Sequence, residues 1–176
     1  MEGNIVVGAV DKARRYYEVL GHGSFASGNA EGQLSTQEEK SIGRALGINL
    51  GAVDTVLCMG AAISQAAGFY HAYKNEEKRP DIVATIGDST FFHAGVPALI
   101  DAVVQNVKFV LVILDNRTTA MTGNQPTPAT GHGACGEETQ TVDIRSLVEG
   151  CGVKFLREAN PYEVKDFIAL LKEALQ

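Results

Sequence analysis

Ile82-Val83-Ala84-Thr85-Ile86-Gly87-Asp88-Ser89 and Lys108-Phe109-Val110-Leu111-Val112-Ile113-Leu114-Asp115-Asn116 decide the fold. Each is an apolar run that breaks into polar, turn-forming residues, and each reads as a strand, with a helix predicted between them over Val96–Val107. Strand, helix and strand in that order imply neighbouring parallel strands. Such a unit delivers the Asp88 carboxylate and, 28 positions later, the Asn116 carboxamide to the same edge of the sheet. Ligands of open parallel sheets bind beyond the carboxyl ends of the strands. Hard oxygen donors placed there suit Mg2+, an octahedral ion that keeps few protein ligands and shares phosphate oxygens with its substrate.

The same alternation extends outward. Asp54–Cys58 is predicted as a short strand and Gly60–Tyr73 as an Ala-rich helix, followed by a charged surface turn over Lys74–Pro80 that contains Glu76-Glu77-Lys78-Arg79. Arg117–Thr141 reads as a long irregular stretch, and loops of that length in compact domains are usually functional or disordered. Asp143 is predicted to cap a helix over Ile144–Glu149, and Val153–Leu156 reads as a last strand. Asn160-Pro161-Tyr162-Glu163 offers a cap, a proline at the first helical position and an early acidic residue. The terminal helix is then expected to reach about Leu175, with Val164, Phe167, Ile168 and Leu171 on one face. The first 50 residues are the least legible: a helix over Asp11–Leu20, a glycine-rich loop over Gly21–Gly32, and a helix from Thr36 to about Gly47 capped by Ser35 or Thr36. The expected fold class is α/β, a three-layer α/β/α arrangement with a mostly parallel sheet, right-handed crossovers and helices on both faces.

Composition narrows the function. With 176 residues, 45% hydrophobic and 20% charged, the chain can bury one sizeable core. A net charge of -6 argues against nucleic acid as a partner, so phosphate has to be held locally by backbone and metal. Cys58, Cys135 and Cys151 are odd in number and widely spaced, and form neither a disulfide framework nor an iron–sulfur ligand set. Met1-Glu2-Gly3-Asn4 lacks a basic leader, and no apolar run nears 18 residues, so a cytoplasmic chain with no membrane partner is expected.

Gly87 lets the chain turn sharply out of its strand, and Ser89 and Thr90 offer hydroxyls and amides near a helix start, as a diphosphate requires. A Gly-Asp turn alone is common in α/β proteins; Asn116 and the segment Thr118–Pro128 make the pattern specific. This block resembles the diphosphate-binding module of thiamine diphosphate enzymes, with Gly87-Asp88-Ser89 and Asp115-Asn116 as its signature. Within that family it is most similar to the 2-oxoacid:ferredoxin oxidoreductases, particularly the indolepyruvate branch. The similarity lies in Asp54-Thr55-Val56-Leu57-Cys58-Met59-Gly60-Ala61-Ala62-Ile63, Gly87-Asp88-Ser89-Thr90-Phe91-Phe92-His93-Ala94-Gly95 and Asp115-Asn116-Arg117-Thr118-Thr119-Ala120-Met121-Thr122-Gly123-Asn124-Gln125-Pro126.

The resemblance implies a single thiamine diphosphate-binding domain over 1–176: a poorly matched part over 1–50, a cofactor and Mg2+ core over 53–128, and a C-terminal α/β unit over 142–176. It implies Mg2+ held by Asp88, Asn116 and the backbone carbonyl of Thr118, and a cofactor lined by Met59, Gly60, Gly87, Asp88, Ser89, Thr90, Asn116, Thr118, Thr119, Ala120, Met121 and Thr122. Met59 takes the place of the bulky residue that props the cofactor into a V shape, although its spacing fits a core methionine equally. Cys58 reads as a small buried hydrophobe. His93 fits a phosphate or substrate contact or a packing role, and His132 a substrate loop or a solvated one.

The implied activity is oxidative decarboxylation of a 2-oxoacid such as an aryl pyruvate. The activating glutamate would come from a separate pyrimidine-binding module, and electrons would leave through iron–sulfur clusters of a ferredoxin-type partner in an oligomer. Two alternatives remain at this level: a subunit of a non-oxidative decarboxylase of the sulfopyruvate or phosphonopyruvate type, which shares a loop like Thr122–Thr127, and a non-catalytic binding or assembly module.

Overall fold

Val110, Leu111, Val112 and Ile113 are all buried, so the strand they form is covered from both faces. The computed structural model describes the backbone of Asn4–Ala9 and residues 57–176. The helices and loop expected over 11–47, and residues 54–56 of the strand expected over Asp54–Cys58, lie outside the described residues.

Among the described residues there are four strands, β1 (Asn4–Ala9), β2 (Val83–Gly87), β3 (Val110–Asp115) and β4 (Phe155–Ala159). All pair in parallel, in the order β2-β3-β1-β4. Helix α1 (Ala62–Tyr73) precedes β2. A helical run leaves β2 directly: one turn over Asp88–Thr90, a π-helical turn over Phe91–Gly95, then α2 (Val96–Val104). Helix α3 (Ile144–Gly150) precedes β4, and α4 (Val164–Ala174) ends the chain.

Two apolar clusters follow from the two-residue side-chain period of the strands. Ala84 and Ile86 of β2 and Leu111 and Ile113 of β3 pack with Ile63 and Ala66 of α1, Leu99 and Ala102 of α2, and Val148 of α3. Val110 and Val112 pack the other way, against Phe167, Leu170, Leu171 and Ala174 of α4. Burying side chains such as Ile86, Leu111 and Ile113 contributes about 1.5–3 kcal/mol each.

Several expectations are corrected. The run after β2 turns helical at Asp88 rather than Val96, and α2 stops at Val104 rather than Val107. It stops because Asn106 takes a left-handed conformation (φ +53°), its N–H donating to Val103 O and the Val107 N–H to Ala102 O, which satisfies the last carbonyls. The last strand lies over Phe155–Ala159 rather than Val153–Leu156. At the edge of the sheet among the described residues, it carries charges that mask a strand pattern: the Arg157 guanidinium lies 4.5 Å from the Phe155 ring centre, and Glu158 pairs with Arg145 at 2.8 Å.

Asn160 does not cap α4. Its side chain accepts from the Tyr162 N–H (3.1 Å) and its carbonyl from the Glu163 N–H (3.0 Å), forming a turn, so the helix begins three residues after Pro161. Its buried stripe is Phe167, Leu170, Leu171 and Ala174, whereas Val164 and Ile168 are exposed. The expected Asp143 cap of α3 is present: its carboxylate accepts from the Ser146 N–H at 2.7 Å. Strand β1, which pairs with both β3 and β4, was not expected; its β-branched core is only Ile5-Val6-Val7, too short a run to stand out beside Gly8 and Ala9.

Candidate functional site

Gly87 of β2 lies opposite Leu114 of β3, so Asp88 emerges from the sheet beside Asp115 and Asn116. The extended backbone of Gly87 (φ -75°, ψ 154°) passes into helix within one residue, which turns the Asp88 side chain inward. Asp88 is only 2% exposed, and its Oδ2 has no hydrogen-bond partner. Burial pushes its carboxyl up to about 6; the Ser89 N–H pulls it down, the Asp115 charge pushes it up and the Asn116 N–H pulls it down again. A buried carboxylate oxygen without a partner is costly, and native structures rarely keep one unless a ligand or an ion engages it.

On the β3 side, Asn116 Oδ1 accepts from the Thr118 N–H at 3.1 Å and Asp115 Oδ1 from the Arg117 N–H at 3.0 Å. Arg117 between them is left-handed (φ +54°), and its carbonyl accepts from Thr130 Oγ1 at 2.8 Å. The two motif segments are tied together, since the Ser89 and Thr119 hydroxyls share a hydrogen bond of 2.8 Å.

Thr119 to Gln125 closes into a small loop. The Thr119 N–H donates to Gln125 O (2.9 Å), the Asn124 N–H to Thr119 O (3.0 Å) and Thr118 Oγ1 to Gln125 O (3.2 Å). Gln125 also bonds Thr122 twice, Oε1 accepting from its hydroxyl and Nε2 donating to its carbonyl. Ala120, Met121 and Thr122 are at the exposed end of this loop. Gln125 is the organiser that sequence reasoning left without a role; its position in Thr-Gly-Asn-Gln-Pro was the available signal.

Gly60 brings the segment before α1 to the same place. Its φ of +85° suits glycine, and a Cβ there would lie 2.6 Å from Ala94 Cβ and 3.8 Å from Thr90 Cγ2. Met59 is 42% exposed, so it is not a core methionine. Cys58 is exposed too, correcting the expectation of burial: it lies in the turn leading into α1, its carbonyl accepting from the Ala61 N–H at 3.2 Å. The π-helical turn is clamped from below by Gly95, whose Cβ would meet Phe91 Cδ2 at 2.7 Å and Ile86 Cδ1 at 3.2 Å. Such turns occur often at functional sites.

The structure thus gathers Met59, Gly60, Gly87, Asp88, Ser89, Thr90, Asn116, Thr118 and Thr119 around the ends of β2 and β3. His93 is exposed in the π-helical turn, and His132 is exposed in a bridge with Glu138, away from these segments in sequence. Among the described residues no three His, Cys, Asp or Glu side chains cluster as a metal site. The donors that do converge are oxygens: a carboxylate with an unpartnered Oδ2, and a carboxamide oxygen with a second lone pair beyond its bond to Thr118. That donor set fits Mg2+ sharing phosphate oxygens.

The chain is 51% identical over 132 residues to the indolepyruvate oxidoreductase subunit IorA of Archaeoglobus fulgidus, covering 74% of this chain and 20% of the relative. It is 46% identical over 125 residues to IorA of Methanothermobacter marburgensis (71% and 19%) and 39% over 133 residues to IorA of Pyrococcus horikoshii (70% and 20%). The chain therefore spans about a fifth of the length of the curated relatives it matches. No solved structure matches it. Residues 40–176 match the family described as thiamine pyrophosphate enzyme, C-terminal TPP binding domain, and the chain belongs to that family.

Proposed function

We propose that this chain is the thiamine diphosphate- and Mg2+-binding part of a 2-oxoacid:ferredoxin oxidoreductase acting on an aryl pyruvate. The observation that carries the proposal is the buried, unpartnered Asp88 Oδ2 at the end of β2, beside the Asn116 carboxamide at the end of β3. Likeness to proteins named as indolepyruvate oxidoreductase subunits supplies the substrate class.

In this account Asp88, Asn116 and the Thr118 carbonyl hold Mg2+, and Ser89, Thr90 and Thr119 meet the diphosphate with hydroxyls and amides at the start of a helical run. Gly87 and Gly60 keep side chains out of the way, Met59 supports the cofactor ring, and Ala120, Met121 and Thr122 close over it from the loop. Residues 53–128 form this core within one domain over 1–176, with 142–176 as its C-terminal α/β unit, in a three-layer α/β/α arrangement. Bound thiamine diphosphate supplies the electron sink that lets the bond between a 2-oxo carbon and its carboxylate break. The chain itself binds and orients the phosphates and excludes water around Asp88.

A pyrimidine-binding module with the activating carboxylate, and a ferredoxin-type module with the iron–sulfur clusters, complete the enzyme as a cytoplasmic oligomer. No helix among the described residues is long and apolar enough to cross a membrane. The test is an assay of the whole enzyme with indolepyruvate, coenzyme A and a one-electron acceptor. Acceptor reduction that requires both organic substrates supports the proposal. Release of CO2 at an equal rate without acceptor or coenzyme A contradicts it and favours the non-oxidative decarboxylase.

A further inference from the structure

Asp115 has no place in the ligand set above, yet its carboxylate takes part in the turn that carries that set. Beyond β3 the chain makes two overlapping side-chain-to-backbone turns, Asp115 to the Arg117 N–H (3.0 Å) and Asn116 to the Thr118 N–H (3.1 Å). The residue they share, Arg117, is left-handed (φ +54°), a conformation that side chains other than those of glycine, asparagine and aspartate rarely adopt. An arginine stays there only if its surroundings hold it. Its carbonyl is bound by Thr130 Oγ1 at 2.8 Å, and its N–H is bound by Asp115.

We propose that Asp115 is a positioning residue: its carboxylate holds Arg117 left-handed and so fixes Asn116 and Thr118 in the arrangement that receives the cation. This rests on the Mg2+ reading above. The rival role for the same side chain is electrostatic, because its charge also faces Asp88. The two roles separate chemically. Asparagine at 115 keeps the accepting oxygen and loses the charge, alanine loses both, and glycine at 117 removes the need for any hold on the left-handed backbone.

The experiment is calorimetric titration of thiamine diphosphate with Mg2+ into the whole enzyme, paired with amide hydrogen exchange of the metal-free protein. Asp115→Asn should bind within about twofold of the unaltered chain, and Asp115→Ala about five- to tenfold more weakly. Arg117→Gly added to Asp115→Ala should restore affinity to within about twofold, whereas a merely destabilised fold would not be rescued there. In Asp115→Ala the amides at 117 and 118 should exchange about tenfold faster than in Asp115→Asn. Asp115→Asn binding as weakly as Asp115→Ala, or no rescue by Arg117→Gly, overturns the positioning role. A whole enzyme with the unaltered chain that takes up no thiamine diphosphate with Mg2+ overturns the functional proposal and this inference with it. Normal uptake that Asp115→Ala leaves untouched overturns the inference alone.

Discussion

Replacing Asp88 by asparagine should stabilise the metal-free chain while abolishing its cation site. The folded carboxyl sits at about 6 against an ordinary 3.8, chiefly because burial penalises its charge. A raised folded pKa means that the folded chain holds the proton more tightly than the unfolded one. Its stabilising contribution is fully present below pH 3.8 and is lost as the pH rises through about 6. The difference of about 2 pKa units corresponds to at most about 3 kcal/mol lost by pH 7. An amide left in place of the unpartnered Oδ2 remains unpartnered, which trims the gain for Asp88→Asn to about 1–2 kcal/mol. For a chain of this length that is a rise of roughly 2–8 °C in Tm. Thermal melts from pH 4 to 7 without metal should show the advantage of Asp88→Asn growing with pH and levelling off above about pH 6 to 7. Mg2+ with thiamine diphosphate should stabilise the unaltered chain alone and narrow or reverse the gap. An Asp88→Asn chain that melts lower at pH 7 without metal, or a gap independent of pH, refutes the reasoning.

Two further outcomes follow from the packing around the site. Gly60→Ala places a Cβ 2.6 Å from Ala94 Cβ at a φ of +85°, so it should cost about 2–4 kcal/mol and lower the denaturant midpoint, with cofactor affinity falling as α1 shifts from the π-helical turn. Ser89→Ala and Thr119→Ala each remove one partner of a 2.8 Å hydrogen bond and should each cost about 1 kcal/mol; the double variant should cost little more than either single one, a coupling that a double-mutant cycle measures directly.

The part of the site read most securely from sequence is the part built on the strands. An apolar run that ends in Gly87-Asp88-Ser89 and another that ends in Asp115-Asn116 fix side chains by position alone, because a strand's side chains alternate and its end is marked by the polar residues themselves. Strand boundaries there agreed to within one or two residues. Strand β4 was displaced because Arg157 and Glu158 look like loop residues, and the ion pair with Arg145 and the contact with Phe155 explain them as strand. Strand β1 was not legible because its apolar core is three residues long and its partners are more than 100 positions away. The helix start at Asp88 was hidden because Gly87-Asp88-Ser89 reads as a turn ahead of the helix expected over Val96–Val107, until the π-helical turn is seen packed on Ile86 and Ile63. Hydrogen bonds such as Ser89 to Thr119 and Asp115 to Arg117 have no periodic signature, so the turn that carries the site appears only in three dimensions.

Calorimetry with and without Mg2+ tests the central claim most directly. Thiamine diphosphate is titrated into the whole enzyme carrying the unaltered chain, with Asp88→Ala run alongside in the presence of Mg2+. The account predicts uptake by the unaltered chain only with Mg2+, and at least tenfold weaker uptake by Asp88→Ala, since a buried carboxylate that ligates the ion is lost. Binding that needs no metal, or an affinity unchanged in Asp88→Ala, contradicts it.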